Sequence, residues 1–348
     1  MITIWFALVS LAYAPVFIGA NASIPPTEKS IIRKTVCEPG NAYRMFGYDC
    51  SYMDLTEVPQ NLKSSVKIFD LSINRIKELT KKSFTRYSDI KLLYLFENRI
   101  KTIEKGTFAH LTGLEAIDLS SNSLSSISVE LFKLPRLRNI YYSDNPLLKI
   151  GNDLKHLEKP ITAPLQKLFM AYCDLSSIPD LGILPDLVYL NVSFNLFDEI
   201  TPQQFSPLCS LNTLVIENST HLSPCTCKSL QAYLDRRLIY VNHTFDCPTV
   251  HEEEVYCSES VNATADTDDF DKCLTRVQEK KRDEQAKETW MLIVIGLGVF
   301  FIVFICILYY FHRRNVKKAK LLEKQSTKLR HIHQTTNGNV EVLLSRAE

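Results

Sequence analysis

Apolar residues return along this chain at a fixed spacing, Leu-x-x-Leu-x-Leu-x-x-Asn-x-Leu, and that spacing governs the architecture it predicts. The first three copies are Val66, Phe69, Leu71, Asn74, Ile76; Ile90, Leu93, Leu95, Asn98, Ile100; and Leu114, Ile117, Leu119, Asn122, Leu124. A fourth reads Leu137, Ile140, Tyr142, Asn145, Leu147, and a fifth Leu165, Leu168, Met170, Cys173, Leu175. The sixth is Leu187, Leu190, Val192, Asn195, Phe197, and a weaker seventh is Leu211, Leu214, Ile216, Ser219, Leu222. Intervals between the Asn-equivalent positions are 24, 24, 23, 28, 22 and 24 residues. Residues two apart in a strand share a face, so each copy predicts one short strand with an apolar inner side. One copy cannot bury that side, but stacked copies make a continuous core and a parallel sheet. Phe84, Phe108, Phe132 and Phe205 recur between copies and extend the core.

Two further apolar stretches break this period. Ile4–Phe17 is an apolar run near the N-terminus followed by Ala20-Asn21-Ala22, which predicts a signal peptide over residues 1–22. Trp290–Phe311 holds 22 residues without a charge, about 33 Å of helix at about 1.5 Å per residue, enough for a hydrocarbon core. Trp290, Tyr309 and Tyr310 stand where an aromatic belt would lie. Arg313, Arg314, Lys317, Lys318 and Lys320 follow directly. Basic residues on that flank predict a single-pass type I protein of the plasma membrane, N-terminus outside.

Charge acquires meaning only once these segments divide the chain. Lys+Arg 40 against Asp+Glu 39 sums to +1. Residues 312–348 carry nine Lys/Arg and three Asp/Glu, hence +6, while residues 1–22 and 290–311 carry none, which leaves −5 on residues 23–289. The sum therefore hides an acidic outer part and a basic inner tail, and gives no basic surface for nucleic acid.

The repeat resembles the leucine-rich-repeat family over about residues 55–222. The resemblance implies an α/β repeat fold: a leucine-rich-repeat solenoid with a parallel concave β-sheet, capped by disulfides at both ends, here with one transmembrane helix. The recurrent Asn suits a buried turn, where its amide satisfies backbone groups that would otherwise be orphaned. Cys173, in an Asn position, reads as a buried free thiol. Cys37 and Cys50 before Leu55-Thr56-Glu57-Val58-Pro59 resemble a reduced N-terminal flanking cap, and Cys225-Thr226-Cys227 with Cys247 resembles the C-terminal one. The family pairs the first cap cysteine with the third and the second with the fourth. In the C-terminal cap that pattern implies Cys225–Cys247 and Cys227–Cys273, with Cys257 the other candidate for the fourth place; the reduced N-terminal cap implies Cys37–Cys50, and Cys209–Cys257 would then be a private bridge. A Cys-x-Cys zinc site is the rival reading, disfavoured because secreted thiols oxidise and no His has ligand spacing. Expected divisions are 1–22 signal peptide, 37–62 N-terminal cap, 63–222 repeats, 223–273 C-terminal cap, 274–289 charged stalk, 290–311 transmembrane helix and 312–348 basic tail.

On such a sheet the residues between the inward positions face the concave side, a strip of about 29 Å for seven strands at about 4.8 Å. Ile68, Asp70, Leu92, Ala116, Asn139, Lys167, Tyr189, Thr213 and Val215 fall there, and the candidate ligand-binding residues are Tyr94, Phe96, Asp118, Tyr141, Phe169 and Tyr172. Tyr and Phe on a solvated sheet are typical of interfaces, or else pack against one another across strands. Sequons at Asn191, Asn218, Asn242 and Asn262 predict glycosylation. Asn191 lies on the same face as the candidates, so a glycan there shifts the ligand surface toward Tyr94, Phe96, Asp118 and Tyr141.

The tail of 37 residues after Phe311 is far below domain size and holds no signalling domain. Binding of its basic residues to anionic lipid is worth about 1 kcal/mol per charge. The sequence carries no P-loop, dinucleotide fingerprint, nucleophile elbow or His-Glu-x-x-His, and predicts neither cofactor, metal site nor enzyme. The chain resembles small leucine-rich-repeat receptors and adhesion proteins, and Toll-type ectodomains without the intracellular signalling domain. This implies a cell-surface protein that binds an extracellular protein ligand. Its segment order also resembles the leucine-rich-repeat gamma subunits of large-conductance potassium channels, which implies an auxiliary subunit acting on a neighbouring membrane protein through its span and basic flank.

Overall fold

In the computed structural model, residues 35–197, 200–218, 224–242 and 268–344 are described, with side chains to residue 330. The expected signal peptide, Cys247, Cys257 and the Asn262 sequon lie outside the described residues. The chain divides into two units, residues 1–277 and 278–348.

The first unit is built on one ten-stranded sheet. Strands β1 (Glu38–Ala42) and β2 (Met45–Asp49) form an antiparallel hairpin, and β2 then runs parallel to β3 (Ile68–Asp70). A separate two-stranded ladder joins β4 (Glu78–Leu79) and β6 (Thr102–Ile103). The main sheet continues in parallel through β5 (Leu92–Tyr94), β7 (Ala116–Asp118), β8 (Asn139–Tyr141), β9 (Lys167–Phe169), β10 (Tyr189–Asn191) and β11 (Thr213–Val215). Among the described residues it ends at β12 (Tyr240–Asn242). Each of the seven copies supplies one of the strands β3, β5 and β7–β11. The fold is thus the expected parallel-sheet leucine-rich-repeat solenoid.

Copy after copy, the apolar positions of the period are buried, from Val66, Phe69 and Leu71 to Leu211, Leu214 and Ile216. Phe84, Phe108, Phe132 and Phe205 are buried opposite the sheet, and Phe84 stacks on Phe108 with centroids 6.0 Å apart. The Asn positions tie adjacent copies. Asn98 donates to the carbonyls of Leu71 and Leu95, one in each of two copies, and accepts from the N–H of Ile76. Asn122, Asn145 and Asn195 repeat the pattern. The residue before each such position is in the left-handed region: Ile73, Glu97, Ser121, Asp144, Tyr172 and Phe194 have φ between 52° and 59°. That turn aims the next amide back into the stack, although L-residues adopt it at a cost.

Cys173 shows what the amide supplies. Its thiol donates to the carbonyls of Tyr142 and Ala171, as an Asn amide would. It has no side-chain acceptor equivalent to Oδ1, and the N–H of Leu147 bonds backbone carbonyls of Asn145 and Cys173 instead. Burial pushes the thiol up to about 12, so it stays protonated and unreactive.

Disulfides close both ends. Cys37–Cys50 bridges the N-terminal hairpin. At the other end, helix α2 (Pro224–Arg236) buries Cys227, Leu230, Tyr233 and Leu234; the shorter α1 (Ile150–Lys155) occupies the 28-residue interval. Cys209 pairs with Cys273, not with Cys257, and Cys227 therefore does not pair with Cys273. The family pattern misassigned these bridges because Cys209 sits in the last repeat, beside the start of α3 (Asp268–Leu344), where Cys273 is fully buried. Cys225 and Cys227 are both disulfide-bonded, to partners outside the described residues. Arg237 completes the latch. Its guanidinium lies 4.1 Å from the Phe270 ring centroid and donates to the Tyr233 hydroxyl and the Leu208 carbonyl.

The second unit is helical. Within α3 the charged stretch 278–289 runs without interruption into the apolar stretch 290–311 and on through Arg313, Arg314, Lys317, Lys318 and Lys320. Among the described residues this is the helix long and apolar enough to cross a membrane, and its apolar side chains, Leu292, Phe300 and Phe304 among them, are exposed.

Candidate functional site

Strand register converts the repeat into two straight rows across the concave face. The first runs Gly47, Ile68, Leu92, Ala116, Asn139, Lys167, Tyr189, Thr213, Tyr240. The second runs Asp49, Asp70, Tyr94, Asp118, Tyr141, Phe169, Asn191, Val215, Asn242. Four of the six candidate residues, Tyr94, Asp118, Tyr141 and Phe169, are therefore consecutive neighbours in the second row. Phe96 and Tyr172 fall beyond the ends of β5 and β9. Tyr172 is 55% exposed and stacks on Phe194 at 4.3 Å.

The C-terminal half of the rows is an aromatic ladder. Tyr141 stacks on Phe169 at 4.4 Å, and Phe169 meets Tyr189 at 4.9 Å. Cross-strand packing thus accounts for part of this aromatic surface, and all three rings remain half-buried rather than covered. Ile68 and Val215, expected on the open face, are buried. Gly47 of β2 lies against Ile68, so close that a Cβ there would come within 2.9 Å of the Ile68 Cβ.

The N-terminal half is acidic. Asp70 and Asp118 each accept from the N–H two residues on, Ser72 and Ser120, which fixes their carboxylates at the strand ends. Tyr94 lies between them. Burial, then Asp70, Tyr43, Tyr141 and Asp118, push its hydroxyl up to about 12. Asp118 is held above the usual carboxylate range, first by burial and then by Asp70, against the opposing hydrogen bonds from Ser120. Tyr43, at the tip of the cap hairpin, and Asp49 were not legible as site residues. Both precede the first copy of the period, so only the pairing of β2 with β3 brings the cap into the rows.

Of the predicted sequons, Asn191 and Asn242 both stand in the second row, at its C-terminal end, with Val215 between them. Asn191 Oδ1 accepts from the N–H of Ser193. Asn218 follows β11 in the left-handed region.

The family described as "Leucine rich repeat" matches residues 64–122 and 93–147. Among solved structures, the crystal structure of human 5T4 (Wnt-activated inhibitory factor 1, trophoblast glycoprotein) is 25% identical. That match covers 56% of this chain and 74% of the other, with a TM-score of 0.47. No curated protein matches the chain. The matched period and the parallel sheet that it builds make this a leucine-rich-repeat-containing protein, disulfide-capped and followed by one long apolar helix.

Proposed function

We propose that this chain is a cell-surface recognition protein: a type I single-pass protein of the plasma membrane whose concave sheet binds another protein. The observation that carries this reading is the second row, where Tyr94, Asp118, Tyr141 and Phe169 adjoin as half-buried side chains on consecutive strands. Large aromatic surface of this kind favours protein partners. The disulfides fit an oxidising exterior, and the apolar stretch of α3 followed by basic residues fits a membrane anchor with its C-terminal side in the cytoplasm.

Proximity labelling at the surface of cells bearing the full chain, followed by mass spectrometry, identifies the partner. Tyr94→Ala, Phe96→Ala and Tyr141→Ala together should abolish its labelling; undiminished labelling would sink the concave-face reading. A second reading, an auxiliary subunit of a membrane protein such as a potassium channel, draws support from the continuity of α3 through its apolar and basic stretches. Exchange of residues 290–320 for an unrelated anchor separates the two, sparing recognition but abolishing modulation.

A further inference from the structure

We propose that the concave face between β3 and β8 seats a cationic segment of the partner protein, with an arginine or lysine over the Tyr94 ring beside Asp118. This rests on the protein-binding reading above and names the chemistry of the partner. Asp70, Tyr94 and Asp118 are adjacent in one row, so two carboxylates flank a phenol at about 4.8 Å per strand. Asp118 makes no ion pair among the described residues, and the charged group that acts on it is another acid, Asp70. Elsewhere in the first unit acids meet lysines. Glu115, three residues earlier in the same copy, meets Lys91 at 2.8 Å, and Asp180 meets Lys159 at 2.7 Å. A partly buried carboxylate without a counter-ion costs free energy that an incoming cation would recover. The ring of Tyr94 adds a cation–π face to the same position.

Two features bound the seat. On one side stands the tip of the cap hairpin, where Tyr43 and Arg44 hold φ of 51° and 61° in the two-residue turn and Tyr43 is 74% exposed. Such a turn favours Gly or Asn, so the bulky pair is retained at a local cost next to Tyr94. On the other side lie the Asn191 and Asn242 sequons, which place glycans away from the acidic half. In the strand rows Lys167, on β9, is the basic residue, and it stands two strands from Asp118.

The test uses the full chain in nanodiscs with a nona-arginine peptide as probe. Asp118→Asn and Tyr94→Ala should each weaken binding about tenfold or more, as expected for loss of a charge-assisted contact. Asp180→Asn, on another surface, should leave binding unchanged. Equal affinity of the native chain and Asp118→Asn overturns the proposal, as does equal loss in Asp180→Asn, which would mean diffuse charge attraction. Asp118→Asn should keep a cooperative thermal transition. Proximity labelling distinguishes this proposal from the broader one. A partner lost with the triple aromatic variant but kept with Asp118→Asn removes the cationic seat alone; a partner kept with both removes the concave site as well.

Discussion

Asn145 shows how much one side chain carries in this fold. It is 1% exposed, accepts from the N–H of Leu124, and donates to the carbonyls of Leu119 and Tyr142. Truncation to Ala orphans those backbone groups and should cost about 2–4 kcal/mol in chemical denaturation. Cys173→Ala should cost less, because its thiol supplies only weak donor contacts. Asp118 behaves in the opposite sense. Its folded-state carboxyl titrates above the unfolded one, so the native chain binds more protons in the window between. Stability attributable to this group therefore rises as pH falls through the raised value toward the ordinary carboxylate range near about 3.9. Asp118→Asn should raise the melting temperature at neutral pH and remove that dependence, which thermal melts between pH 7 and 4 would check. At this scale the sequence displayed the buried Asn and the odd Cys, since both are fixed by the period. It did not display the left-handed turn before each Asn, whose residues (Ile73, Glu97, Ser121, Asp144) share no chemistry.

Among elements, the strands were legible and the caps only in part. Apolar residues two apart within a 24-residue period leave one geometry that buries them all, so β3 to β11 follow from spacing. The C-terminal bridges do not, because a pairing across 64 residues depends on where the first turns of α3 dock, and no local pattern encodes that. Non-reducing peptide mapping should recover Cys37–Cys50 and Cys209–Cys273; a Cys227–Cys273 peptide would contradict the latch. The candidate site has the same character. Its candidate row was visible as alternate residues, but Tyr141, Phe169 and Tyr189 turn out to lean on one another. Phe169→Ala removes both stacking contacts and should destabilise the chain by about 3–5 kcal/mol in denaturant titrations if the ring is treated as core, less in proportion to its exposure. A loss of partner labelling larger than the loss of folded protein would assign the ring to recognition as well.

For the molecule as a whole, the useful quantity is the charge of each part. Residues 23–289 carry −5 and residues 312–348 carry +6; nine acids and no Lys or Arg fall in residues 246–271, so the Asp70–Asp118 seat is a local cluster and not the source of that net charge. Salt should therefore weaken nona-arginine binding steeply, because exposed charges are screened over about 10 Å at 0.1 M ionic strength. A flat salt response in an affinity titration would contradict an electrostatic seat.

The sheet also ends in a telling way at its β1 margin. An open β-edge offers unpaired backbone to any other strand, a hazard that grows when proteins are crowded. At one margin β1 places Pro39, which has no N–H to give, beside Glu38. At the other, β12 ends on the Asn242 sequon. The β1 edge thus resists the addition of a neighbour's strand. At the β1 margin, copies of the chain would therefore resist fusing edge to edge even when crowded.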